Sequence, residues 1–114
     1  MKHIAILTCL DACKVCTGAG CLKAWNSRSR GFASYAGEAV RLDAFLHCNG
    51  CGSDPASDPG MAEKLDRLSS MGVSAVHTGV CTRKGPDRQE YCPNIAKICT
   101  LLEQRGIRVI YGTH

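Results

Sequence analysis

IAILTCLDACKVCTGAGC, residues 4–21, places four cysteines in thirteen positions directly after an apolar run. Ile4–Thr8 has the β-branched, continuously apolar character of a buried strand. Three further runs of this kind follow: Val40–Leu46, Ser74–Thr78 and Ile107–Tyr111. Between them lie segments of helical period. Glu63–Met71 follows Asp58-Pro59, stops at Gly72, and keeps Met61, Leu65, Leu68 and Met71 to one face. Pro93–Arg105 repeats the pattern, with Ile95, Ile98, Cys99 and Leu102 on its apolar face and Gly106 at its end. The first crossover, from Cys21 to about Ala39, is less regular: Leu22, Ala24 and Trp25 point to a helix that Gly31 interrupts. Strand–helix alternation predicts an α/β domain with a parallel sheet covered on both faces. The expected architecture is one small, flavodoxin-like, three-layer domain over residues 1–114, with four parallel strands in the order 2-1-3-4. Ligands on such sheets bind beyond the carboxyl ends of the strands.

On that map the cysteines collect at one edge. Cys9, Cys13, Cys16 and Cys21 follow the first strand, and His47, Cys48 and Cys51 follow the second. Cys81 and Cys92 follow the third, and His114 lies just beyond the fourth. Cys99 alone sits mid-helix on an apolar face, where a free cysteine packs as a small hydrophobe. The remaining eight cysteines equal two sets of four, the number of ligands in a tetrahedral zinc site.

Nine cysteines in 114 residues nearly reach the density of a disulfide scaffold. The count is odd, however, and Ile4–Leu7 is too short for a signal-peptide core. A cytoplasmic, reducing setting is therefore expected, in which dense cysteines mean metal or redox chemistry. No stretch is long enough to span a membrane. The net charge of +4, with no basic stripe and few aromatic residues, gives no support to nucleic-acid binding. Eight thiolates holding two divalent ions would offset that charge, so a metal ion is the expected partner.

The local motifs refine this. Cys48-Asn49-Gly50-Cys51-Gly52 is a C-x2-C-G turn, whose spacing lets both sulfurs reach one ion. The turn-rich SDPASDPG that follows (53–60) is no helix start, which favours metal over a thioredoxin-type dithiol. Cys92 precedes Pro93 at a helix N-cap, a place that stabilises a thiolate. Cys9-x3-Cys13-x2-Cys16 has the spacing by which radical S-adenosylmethionine enzymes hold a 4Fe–4S cluster, but the chain is too short for their barrel. The cysteine–arginine anion loop of small phosphatases is excluded, since no arginine follows Cys9 before Arg28. His77, within a strand run, reads as structural, and His3 as a surface residue.

With these residues in place, the whole chain resembles the CGGC domain family of small prokaryotic proteins. The resemblance rests on the strand ending in cysteine and Cys16-Thr17-Gly18-x-x-Cys21-Leu22-Lys23-Ala24. It rests also on the central cysteine pair, His77, Cys81, Tyr91-Cys92-Pro93 and the closing Gly112-Thr113-His114. One departure is that Asn49 stands where the namesake motif has its first glycine. The resemblance implies bound metal, conventionally zinc, and no defined reaction.

The expected metal ligands are Cys9, Cys13, Cys16, Cys21, Cys48, Cys51, Cys81, Cys92 and His114. Zinc in one or two cysteine-rich sites at the carboxyl edge of the sheet is the leading expectation. A 4Fe–4S or other iron–sulfur cluster for electron transfer or sulfur chemistry is the alternative, because soft thiolates suit both. A metal-free thiol oxidoreductase working through Cys48/Cys51 or Cys92 comes third. Whether the protein is an enzyme stays open: Asp11 and Asp54 are the few acids near the cysteines, and neither is an obvious general base.

Overall fold

Ile4, Ala5, Ile6 and Leu7 are fully buried, as a central strand covered on both faces requires. The computed structural model describes all 114 residues. In chain order the strands are β1 (Lys2–Thr8), β2 (Val40–His47), β3 (Ala75–Thr78), β4 (Arg83–Lys84), β5 (Glu90–Tyr91) and β6 (Arg108–Tyr111). The helices are α1 (Ala19–Ser27), α2 (Pro59–Ser70) and α3 (Pro93–Gln104). The main sheet is wholly parallel in the order β2-β1-β3-β6, which is the expected 2-1-3-4 order with β6 as its fourth member. Arg83–Lys84 and Glu90–Tyr91 form an antiparallel hairpin that was not expected. With two residues in each strand, it carries no apolar alternation to reveal it.

Alternation along β1 sorts the core into two layers. Ala5 and Leu7 face α2 and α3 through Met61, Leu65, Ile95, Ile98 and Leu102. Ile4 and Ile6 face α1 and a 3-10 segment (Arg30–Tyr35) through Ala24, Phe32 and Tyr35. That segment occupies the irregular crossover and contributes Phe32, one of the largest fully buried side chains. The cap signals hold. The Asp58 carboxylate accepts from Gly60 N–H at the start of α2, and Pro59 and Pro93 open α2 and α3.

The pairing of β1 with β2 skips one residue. Ile4 faces Leu42 while Ala5 faces Ala44, so Asp43 is a bulge. The extra residue keeps Leu42 and Phe45 on the α1 face, while Ala44 and Leu46 turn to the α2/α3 face. Asp43 itself binds His3 and Arg41.

The C-terminal tail is fastened from two sides. His77 is buried; its Nδ1–H donates to Gly112 O at 3.1 Å and its Nε2 accepts from the Tyr35 hydroxyl at 2.8 Å. Both ring nitrogens are thereby used within the neutral ring, a structural role. Gly31 meets the tail directly: its N–H donates to Thr113 O, and a Cβ there would lie 2.3 Å from Gly112 O. The partner atom is backbone and cannot swing aside.

Gly31→Ala is expected to displace the tail and destabilise the protein by about 1–3 kcal/mol, read as a lower urea midpoint. Burial holds the His77 pKa below the ordinary histidine value. The unfolded chain therefore takes up a proton, near pH 6.5, that the folded state resists. Stability from this residue is complete above that pH and is lost as pH falls toward the folded-state pKa. His77→Gln is expected to be less stable and to show a shallower fall between pH 7.5 and 5.5, measured by denaturant titration at each pH.

Candidate metal centre

Parallel pairing brings the ends of the main strands level: Thr8 faces His47, Leu7 faces Thr78, and Thr78 faces Tyr111. The residues that follow are delivered to this one rim. There the sheet divides the sulfurs between its two faces, a division that the expectation of one shared edge with one or two sites left open.

On the α1 face a cleft of about 640 Å³ is bordered by Cys13, Cys16, Cys21, Cys81, His47 and His114. Cys21 lies in the first turn of α1, whose N-cap Gly18 adopts a left-handed φ of 78°. Its sulfur contacts Thr113 Oγ1 at 3.2 Å and His114 Nδ1 at 3.6 Å. Cys81 Sγ accepts from Cys9 N–H at 3.3 Å, and Cys16 Sγ accepts from Gly18 N–H at 3.3 Å. Cys13 Sγ stands 3.4 Å from His47 Nδ1. Gly79 borders two of these thiols. A Cβ there would be 3.4 Å from Cys81 Sγ, 3.8 Å from Cys21 Sγ and 3.3 Å from Thr8 Cγ2.

The α2/α3 face holds the second group. Cys48 is buried in the core layer there, and its sulfur accepts from Leu10 N–H at 3.3 Å. Cys92 caps α3 with no side-chain cap bond and packs against the same layer. Asn94, in the first turn of α3, donates to Gly50 O and Ser53 O and so holds the Cys48–Cys51 turn against that helix start. Cys51 is exposed. Gly50 takes φ +94°, a conformation that favours glycine, whereas Asn49 needs none. Asn49 instead donates to Asp58 and accepts from Lys64, tying the turn to α2.

Burial pushes the thiols of Cys21 and Cys81 above the ordinary cysteine value. Neighbouring sulfurs add to this: Cys16 and Cys13 act on Cys21, and Cys9, Cys13 and Cys21 act on Cys81. Clustered thiols that resist ionisation together are those a cation would ionise together. All nine cysteines are free thiols, and no three His, Cys, Asp or Glu side chains stand close enough to hold an ion as they are. Cys99 is buried on the inner face of α3, its pKa pushed up to about 11 by burial.

Two residues at the rim, Thr8 and Asp43, escaped sequence reasoning, and a third, His47, was placed at this edge but not among the expected ligands. His47 ends β2 on the cleft side, Thr8 ends β1 beside it, and Asp43 borders the cleft at the bulge. The available signal was positional: the last residue of each parallel strand lies at the ligand-binding edge. Asp11 and Asp54 are exposed and engaged by Lys14 and Lys97. No helix is long and apolar enough to cross a membrane.

No match to the chain was found among curated proteins or solved structures. The CGGC domain matches residues 3–114, nearly the full length, and with nine cysteines gathered mainly at the sheet rim the chain belongs to the CGGC domain family.

Proposed function

We propose that the protein is a cytosolic metal-binding domain that holds zinc in one or two cysteine-rich sites at the carboxyl edge of the sheet. Cys9, Cys13, Cys16, Cys21, Cys81 and His114 would serve the cleft side, and Cys48, Cys51 and Cys92 the opposite face. The observation that carries the reading is the buried thiol of Cys21 and the half-buried thiol of Cys81, both bordering the space that a side chain at Gly79 would fill. The donor chemistry fits: soft thiolates with an accompanying imidazole suit zinc. When bound, zinc neutralises the clustered thiolates and cross-links segments distant in sequence. The chain's own residues orient the sulfurs. Backbone N–H groups of Cys9, Leu10 and Gly18 donate to them, and Thr113 Oγ1 contacts both Cys21 Sγ and His114 Nδ1.

A second reading, an iron–sulfur cluster, draws on the same N–H···S bonds, since such bonds set cluster potentials. Elemental analysis of anaerobically purified protein decides between them. A colourless sample carrying zinc is expected; a brown, iron-bearing sample would replace zinc with a cluster, and a metal-free sample would remove the metal reading.

Cys48→Ser/Cys51→Ser is expected to lower metal content and thermal stability together, because the binding free energy of a structural metal is folding free energy. Unchanged metal stoichiometry would take this pair out of the ligand set.

A further inference from the structure

Two sulfur–nitrogen contacts line the cleft: Cys13 Sγ with His47 Nδ1 at 3.4 Å, and Cys21 Sγ with His114 Nδ1 at 3.6 Å. Zinc bonds of about 2.3 Å to sulfur and 2.0–2.1 Å to nitrogen, at a tetrahedral angle, separate the two donors by about 3.5 Å. Both pairs therefore already have the spacing of neighbouring zinc ligands. The first is the informative one, because the cysteine pattern does not name its histidine.

His47 is held for this role. Its Nδ1 is 2.8 Å from the Thr8 hydroxyl, which also lies 3.5 Å from Cys13 Sγ. Thr8 can donate to Leu46 O at 3.3 Å, which leaves its oxygen to accept the Nδ1 hydrogen. In that tautomer the nitrogen beside the sulfur carries the ring proton, and a metal would take the place of that proton. Phe45 meets the ring edge-on at a centroid distance of 6.3 Å. Cys16 borders the same cleft and is exposed; no third donor stands within reach of the pair as it is, and at the two-residue spacing from Cys13 the Cys16 sulfur would turn in to complete the set.

We infer that Cys13, Cys16 and His47 form a mixed sulfur–nitrogen zinc centre on the wall of the cleft, with a coordination position left for a small exogenous donor such as water or a thiol. This rests on the metal-binding reading and adds a nitrogen ligand and an accessible metal. Three protein ligands with one position open is the pattern of catalytic zinc, not of structural zinc. Charge agrees as well. Two thiolates and a neutral imidazole balance a divalent ion, and a neutral centre suits walls that include Leu22, Leu42, Ala44, Phe45 and Val80.

The test titrates the reduced full-length protein anaerobically with Zn(II) while the histidine ring nitrogens are followed by 15N NMR. Zinc is expected to shift His47 Nδ1 and leave the buried His77 ring unmoved. His47→Gln should retain zinc at least about tenfold less well against a competing chelator, with circular dichroism reporting its fold. Should that variant fail to fold, the exposed Cys16→Ser serves instead and is expected to show the same loss of retention and of the His47 shift. Wild-type zinc uptake with an unmoved His47 ring would overturn the centre and leave thiolate binding elsewhere intact. No zinc uptake at all would overturn the parent reading and this centre with it.

Discussion

Parallel pairing is the constraint from which the rest follows. Strands that all run one way cannot be joined by tight turns, so each must return by a crossover and deliver the residues after it to the same rim. β1, β2, β3 and β6 do so with their ends in register. Cys9 and Cys81, 72 residues apart in the chain, then become neighbours without any local cysteine motif joining them. Even the tail is drawn in: the neutral His77 ring and the bare backbone of Gly31 hold Gly112 and Thr113, which sets His114 beside Cys21.

Such crowding has an electrostatic cost. In a partly dry environment one thiolate opposes the next, and Cys21 and Cys81 resist ionisation for that reason as well as through burial. The backbone N–H groups aimed at sulfur lower the cost without removing it. A divalent cation would reverse its sign. The sheet also separates the sulfurs into a cleft-side group and a group beside α2 and α3, each with a buried and an exposed cysteine, Cys21 and Cys16 on one side and Cys48 and Cys51 on the other.

Much of the fold was legible in the sequence because its determinants are local. Each main strand is a short β-rich run, and α2 and α3 carry Pro at the start and Gly just past the end. The strand order followed from crossover rules. What stayed hidden was set by contacts distant in sequence. The β4–β5 hairpin has no apolar face. The 3-10 segment owes its shape to Phe32 and Tyr35 packing under the sheet around His77. At the rim, the cysteines announced themselves by type and spacing, while His47 and Thr8 act through where β1 and β2 stop. The division of sulfurs between two faces depends on side-chain parity, which shifts with one unpaired residue.

That residue is Asp43. Because a bulge advances the chain by one position without advancing the ladder, everything from Ala44 to Cys48 owes its orientation to a single insertion. Loss of one residue at this point during evolution would exchange inward and outward roles along half the strand, sending an imidazole into the hydrocarbon interior and a sulfhydryl toward open solvent. A one-residue deletion between Val40 and His47 is therefore far more disruptive than one in the loops, whatever the residues there happen to be.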